Sequence, residues 1–192
     1  MRKYHIATIP GDGIGPEVVA QGVRALNAAG DARDVALDFE SFPWGCGFWL
    51  DKGVAMPQDG LDILSQFDAI YLGAVGLPGQ VPEEVGVREL VLKIRSGFEQ
   101  FANIRPVRPM EGCPWFLSGR DPFEVDFVVV REATEGFYCN LGGRYSPGDH
   151  EISGIEDMRP AFGQSTEIAL QTGVFSEHGC RRVIRFAFDL AR

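Results

Sequence analysis

Apolar residues in the first half of the chain fall into short dense runs separated by stretches with helical spacing. Residues 4–9 (Tyr-His-Ile-Ala-Thr-Ile) form a β-like run that Pro10-Gly11-Asp12-Gly13-Ile14-Gly15-Pro16 breaks, and residues 17–29 set Val18, Val19, Val23 and Leu26 at helical intervals. Strand, glycine loop and helix follow in that order. Residues 36–42 give a second strand, a Gly/Trp/Pro stretch leads to a helix around 59–66, and Asp68-Ala69-Ile70-Tyr71-Leu72 reads as a buried strand closing on Gly73-Ala74-Val75-Gly76. The alternation predicts a parallel α/β sheet. After a Pro- and Gly-rich loop over 77–86, residues 87–101 place Leu90, Ile94, Phe98 and Phe101 on one helical face.

Near residue 103 the texture changes. Asn103-Ile104-Arg105-Pro106-Val107-Arg108-Pro109 is extended, 125–130 is a strand, Gly142-Gly143 suggests a hairpin, and 167–175 and 181–191 read as helices. The spacing therefore predicts two lobes, residues 1–102 and 103–192.

Composition narrows the function classes. The 192 residues are 45% hydrophobic, 11% aromatic and 23% charged, as in ordinary folded soluble proteins, and the longest apolar runs are far too short to cross a bilayer. The N-terminus lacks the apolar stretch and small-residue cleavage site of a secretory signal, so a cytoplasmic location is expected. A formal charge of −9 and a pI near 4.8 argue against nucleic acid as a partner. Of the 18 basic residues only Lys3, Lys52 and Lys93 are lysines, and the rest are arginines, which grip carboxylates bidentately. Cys46, Cys113, Cys139 and Cys180 are too scattered for a zinc site or a disulfide framework, and read as separate thiols.

Three constellations carry candidate chemistry. The glycine loop at residues 11–15 precedes a helix, so it either cradles an anion at that helix's N-terminus or is simply a tight strand-to-helix turn. It matches neither the Rossmann fingerprint nor the P-loop. Arg95 borders the apolar face of its helix, Arg105 follows in an extended segment, and Arg131 ends the apolar run 127–130. Three guanidinium groups on one pocket would suit a substrate with two carboxylates, whereas separate salt bridges with Glu99, Glu132 or Asp126 would make them structural. In Arg131-Glu132-Ala133-Thr134-Glu135-Gly136-Phe137-Tyr138, two carboxylates, a hydroxyl and a phenol follow a buried strand. Tyr138 is there either a proton donor for enolate chemistry or an amphipathic core residue. His5, His150 and His178 form no triad, and Ser118 and Ser176 lack a G-x-S-x-G setting.

Together these segments resemble the isocitrate/isopropylmalate dehydrogenase family of β-decarboxylating dehydrogenases, on its tartrate dehydrogenase/decarboxylase branch. The resemblance spans essentially the whole chain. It rests on residues 9–17, on 68–76, on Asn103-Ile104-Arg105-Pro106, on residues 130–138 and on residues 182–191. It implies an isopropylmalate dehydrogenase-like two-lobe α/β fold in which 1–102 is the first half of the large cofactor-side lobe and 103–192 the first part of the small lobe. It further implies NAD- and Mg2+- or Mn2+-dependent oxidation, with or without decarboxylation, of a 2-hydroxy dicarboxylic acid such as tartrate, malate or 3-isopropylmalate. Arg95, Arg105 and Arg131 match arginines that hold the substrate's carboxylates, and Tyr138 matches the tyrosine that protonates the enolate. Gly73, Ala74, Val75 and Gly76, with Gly13 and Ile14 of the glycine loop, match backbone near the nicotinamide. Residues 88–92 match the segment facing the substrate's variable substituent, and the region from Tyr138 to His150 matches an intersubunit arm, implying a homodimer.

Two positions depart from the family pattern: Ala133 stands where asparagine is common, and Glu177 where an arginine is usual. No lysine follows Lys93, and the resemblance implies that family members are nearly twice as long and that the catalytic lysine and metal-binding aspartates would belong to a segment beyond Arg192. The expectation is a fold incomplete at its C-terminus, with exposed sheet edges, inactive alone and completed by a further segment. The alternative is a non-catalytic remnant that acts as a binding or dimerisation module.

Overall fold

The computed structural model describes residues 2–114, 118, 119, 121, 124–146 and 167–192, in two compact units, 1–98 and 99–192. His150 and the part of the expected arm beyond Ser146 lie outside the described residues.

In the first unit, strand β1 (Arg2–Gly11) runs through the glycine loop into helix α1 (Gly15–Asp31), then β2 (Val35–Ser41), α2 (Cys46–Lys52), α3 (Gly60–Leu64) and β3 (Ala69–Ala74). The strands are parallel in the order β2-β1-β3, with Thr8 paired to Ser41 on one side and Tyr71 on the other. Because the chain leaves β1 toward β2 and returns on the opposite side as β3, the topological switch point lies between the C-terminal ends of β1 and β3. Ala7 and Ile9 of β1 are fully buried in a core with Trp44, Met56, Leu64, Leu90 and Ile94. Helix α2, hidden from the sequence by its Gly and Trp content, is a short turn closed by Gly53 in the left-handed conformation (φ 75°).

The helix expected over 87–101 is shorter and partly π-wound: a π-helical segment (Val85–Leu92) passes into α4 (Lys93–Gly97). Leu90 and Ile94 are buried as the periodicity requires, and Phe98 packs against the same core. Phe101 does not share their face. Glu99 adopts φ 49°, which ends the helix, and Phe101 lies in the second unit, which begins at Glu99.

The second unit holds two antiparallel pairs and a helix. Strand β4 (Ala102–Val107) pairs with β5 (Phe127–Glu132), and β6 (Gly136–Tyr145) with β7 (Ile168–Val174); α5 (Glu177–Leu190) follows. Two expectations fail here. Gly142-Gly143 is not a hairpin turn but lies inside β6, where the two glycines pair with Gln171 and Leu170. Residues 167–175 are a strand rather than a helix: Ile168 and Leu170 are half-buried and Ala169 and Gln171 exposed, a period of two that the helix-forming residue types obscure.

Candidate functional site

At the switch point, the glycines answer to packing. A Cβ on Gly11 or Gly15 would overlap the Ala74 carbonyl, and one on Gly73 would overlap the Pro10 carbonyl, so β1, α1 and β3 approach as closely as backbone allows. Asp12 closes the corner. Its buried carboxylate accepts the Cys46 and Gly47 N–H groups, each at 2.8 Å, and the Gly76 N–H at 3.0 Å, while its own N–H donates to Ala74 O at 2.7 Å. One side chain thus ties the loop after β1, the start of α2 and the loop after β3 together. Burial pushes the Cys46 thiol up, and the neighbouring Asp12 carboxylate adds to that.

Of the two readings of the glycine loop, this geometry favours the tight strand-to-helix turn. The N-terminus of α1 is a poor anion cradle: the Gly15 N–H donates to Asp12 O, Pro16 has none, and Glu17 puts a carboxylate in the first turn. Of the residues expected at the nicotinamide, Gly13, Ile14 and Gly76 present open surface: a Cβ on Gly13 would meet only Gly76 O at 3.9 Å, one on Gly76 nothing within 4 Å, and Ile14 is 67% exposed. Gly73, Ala74 and Val75 are engaged in the packing of the corner itself. A cavity of about 610 Å3, lined by Asp12, Ser41, Phe48 and Lys52 among others, opens toward β2 instead, and none of these six residues lines it. Leu90, in the segment expected to face the substrate's substituent, is fully buried in the core, and Glu89 accepts the Ala55 N–H at 3.4 Å.

The second unit places Arg105 and Arg131 together. Arg131 pairs across the ladder with Asn103, and Arg105 lies two residues along β4, so all three share one face. The two arginines are diagonal neighbours, roughly 7–8 Å apart at the backbone. Asn103 Oδ1 accepts the Arg105 Nε–H at 2.9 Å and steers that side chain. The Arg131 guanidinium lies over the Tyr138 ring, 5.0 Å from its centroid. A cavity of about 490 Å3 opens beside this pair, walled by Phe137, Phe175, Val183 and Ile184.

Separate salt bridges do not account for these arginines. Arg108 pairs with Asp126 at 2.7 Å and Arg182 with Glu132 at 3.3 Å, taking two of the three carboxylates that stood as candidate partners, and Arg95, Arg105 and Arg131 have no ion pair among the described residues, with Glu99 or any other carboxylate. The bidentate contact holds the Asp126 carboxyl below the usual carboxylate range. Arg95 lies in the first unit, half-buried on α4.

The two carboxylates of the strand-end cluster prove structural. Glu132 accepts the N–H groups of Thr134 (2.8 Å) and Glu135 (2.6 Å) and the Thr134 hydroxyl (2.7 Å); burial pushes it up, but these bonds outweigh that and hold it below the ordinary value. Glu135 is lowered by the Ser176 hydroxyl, at 2.6 Å, and the Ser176 N–H, at 2.9 Å, while Ser176 Oγ caps α5 by accepting from Gly179 N–H. Glu177 forms an ion pair with Arg181 one turn on, and Ala133 is buried with its N–H on Phe101 O. The sequence reading overlooked Asn103, whose i, i+2 spacing from Arg105 on a strand was the available signal, and Asp12 and Arg182, whose roles only the tertiary contacts reveal.

A sequence model of isocitrate/isopropylmalate dehydrogenases matches residues 5–192. The chain belongs to that family. Among curated relatives, it is 42% identical over 193 residues to D-malate dehydrogenase [decarboxylating] of Escherichia coli, covering 100% of this chain and 49% of that protein. It is 42% identical over 190 residues to tartrate dehydrogenase/decarboxylase of Pseudomonas putida, covering 98% and 48%. The crystal structure of isocitrate dehydrogenase from Methylococcus capsulatus matches with TM-score 0.68 at 28% identity, over 100% of this chain and 48% of that one. The chain thus spans about half the length of the curated relatives it matches, and its mixed α/β architecture is that of the isocitrate dehydrogenase-like fold.

Proposed function

We propose that the chain forms the substrate-carboxylate side of an enzyme that oxidises a 2-hydroxy dicarboxylic acid of the malate or tartrate type with NAD, with or without decarboxylation. The observation that carries this reading is the Arg105–Arg131 pair: two guanidinium groups without carboxylate partners among the described residues, on one face of one ladder and beside a phenol. Two such groups complement a dianion of that size, and their fork geometry selects carboxylates over hydroxyls. The relatives named for D-malate and tartrate point to the same substrate class.

In this reading Arg105 and Arg131 fix the substrate's carboxylates and Asn103 holds Arg105 in place, while the carboxylate-binding role of Arg95 rests on the family resemblance alone. Tyr138 Oη gives its proton to the enolate carbon left when CO2 departs. Gly13 and Gly76 fit a flat nicotinamide ring because no side chain of theirs stands between it and the backbone, the exposed Ile14 side chain offers it an apolar edge, and Gly73, Ala74 and Val75 pack the corner behind them. NAD supplies the hydride acceptor when bound. Among the described residues no three His, Cys, Asp or Glu side chains gather to hold a metal ion, so Mg2+ or Mn2+ has no ligand set among them, and none of the roles above runs through a metal. No helix among the described residues is long and apolar enough to cross a membrane. A cytoplasmic homodimer is part of the same proposal and rests on the family resemblance alone.

Calorimetric titration with D-malate tests the reading, with L-lactate as the one-carboxylate control. D-malate should bind and lactate should bind more weakly, and R105M and R131M should each weaken D-malate binding by about tenfold or more. Equal binding of both acids, or D-malate binding untouched by both variants, overturns it.

A further inference from the structure

The Arg131–Tyr138 contact spans a short connection, and that connection is built around a half-buried ion pair. Residues 133–135 bend the chain between β5 and β6, with Arg131 before the bend and Tyr138 after it. The Glu132 carboxylate ties the bend together: one oxygen takes the Thr134 and Glu135 N–H groups, and the other takes the Thr134 hydroxyl and, at 3.3 Å, Arg182 Nη2. Arg182 Nη2 also donates to the Thr134 hydroxyl at 2.6 Å. The guanidinium lies flat on the Phe101 ring, 4.8 Å from its centroid, and Phe186 of α5 meets that ring edge-on at 6.0 Å. Phe101 in turn accepts the Ala133 N–H through its carbonyl. Residues 133–135 are therefore held from α5 and from Phe101, just before β4, while Glu132 and Glu135 line the cavity beside Arg131 and Tyr138.

We propose that Glu132 and Arg182 are positioning residues: their clamp sets the Ala133–Glu135 bend and through it the placement of the Arg131 guanidinium over the Tyr138 ring. The roles of Arg131 and Tyr138 rest on the proposed function, but the clamp itself is testable without it. Glutamine at 132 keeps the size of the side chain and leaves only one acceptor oxygen, so either the backbone pair or the Thr134–Arg182 pair loses its partner. Lysine at 182 keeps the charge but loses the planar face that lies on Phe101.

The test is side-chain NMR of the arginine Nε–H and δ-methylene groups in the ligand-free chain. In the parent protein the Arg131 signals should be displaced upfield by the Tyr138 ring; Y138F should keep that displacement and Y138L should abolish it, which assigns it. E132Q and R182K should lose most of it while backbone amide spectra remain those of the folded chain, and R182K should restore part of what R182A removes. Melting curves serve as a control, because a merely structural role would lower them without moving the Arg131 signals in the folded protein. Binding of D-malate to E132Q should then be weakened roughly fivefold or more. Retention of the full upfield displacement in folded E132Q and R182K overturns the proposal. Failure of the parent protein to bind D-malate would count against the functional reading only, since the ligand-free signals decide the clamp separately.

Discussion

The glycine corner of the first unit and the β5–β6 bend of the second use the same device for different ends. In each, one carboxylate, Asp12 or Glu132, gathers backbone N–H groups that would otherwise lack partners. At the corner the carboxylate is buried where β1, α1 and β3 approach backbone to backbone, with a cavity on the β2 side of Asp12 and open surface at Gly13, Ile14 and Gly76. At the bend the carboxylate ties the backbone together while its sequence neighbour Arg131 lies over Tyr138 and shares a face with Arg105. Polar density along a sequence therefore marks two kinds of position at once, and the fold sorts them: Asp12, Glu132 and Glu135 hold backbone N–H groups, while Arg105 and Arg131 have no carboxylate partner among the described residues.

The largest effect that would separate the two regions is a side chain forced into the corner. G73A places a Cβ on the Pro10 carbonyl and against Val19 and should destabilise the first unit by about 3 kcal/mol or more, measured by urea denaturation; G13A, where the only obstacle is φ 57°, should cost about 1–2 kcal/mol. Equal losses would mean that the corner is not close-packed. D12A should follow closely, at about 3 kcal/mol from the stranded N–H groups, and should expose the otherwise protected Cys46 thiol to a thiol reagent. D12N should lose less, since its remaining oxygen still accepts.

A smaller effect concerns acid. Glu132 and Glu135 both have folded values lowered from the ordinary 4.5, so the stability they contribute is fully present above that value and is lost as pH falls through their lower folded values. Unfolding of the second unit followed from pH 6 to pH 2 should show this loss below about pH 4.5, and E132Q should flatten the slope. The smallest effect is at Glu99, whose left-handed conformation suits glycine: E99G should raise stability by about 0.5–1 kcal/mol in the same urea assay.

Much of this was legible in the sequence, for identifiable reasons. The parallel strands and α1 announced themselves because each has a dense apolar run or a clean helical stripe, and the Arg105, Arg131 and Tyr138 cluster because resemblance fixed its motif. The failures share a cause. Residues 167–175 and the Gly142-Gly143 stretch take their conformation from each other across a ladder, and neither segment's own residue types report that partner. The helix over 87–101 was overextended because Phe101 falls in phase by chance, while the break comes from Glu99, a residue with no local signal for it. The structural roles of Glu132 and Glu135 were illegible because their partners, Arg182 and Ser176, lie 50 and 41 residues away.

The most direct test is a crystal structure of the chain with D-malate bound. Malate should lie across the Arg105 and Arg131 guanidinium groups, one carboxylate within hydrogen-bond distance of each, beside the Tyr138 ring. Malate seated at the glycine corner, or on one of these arginines with the other turned away, would contradict that placement.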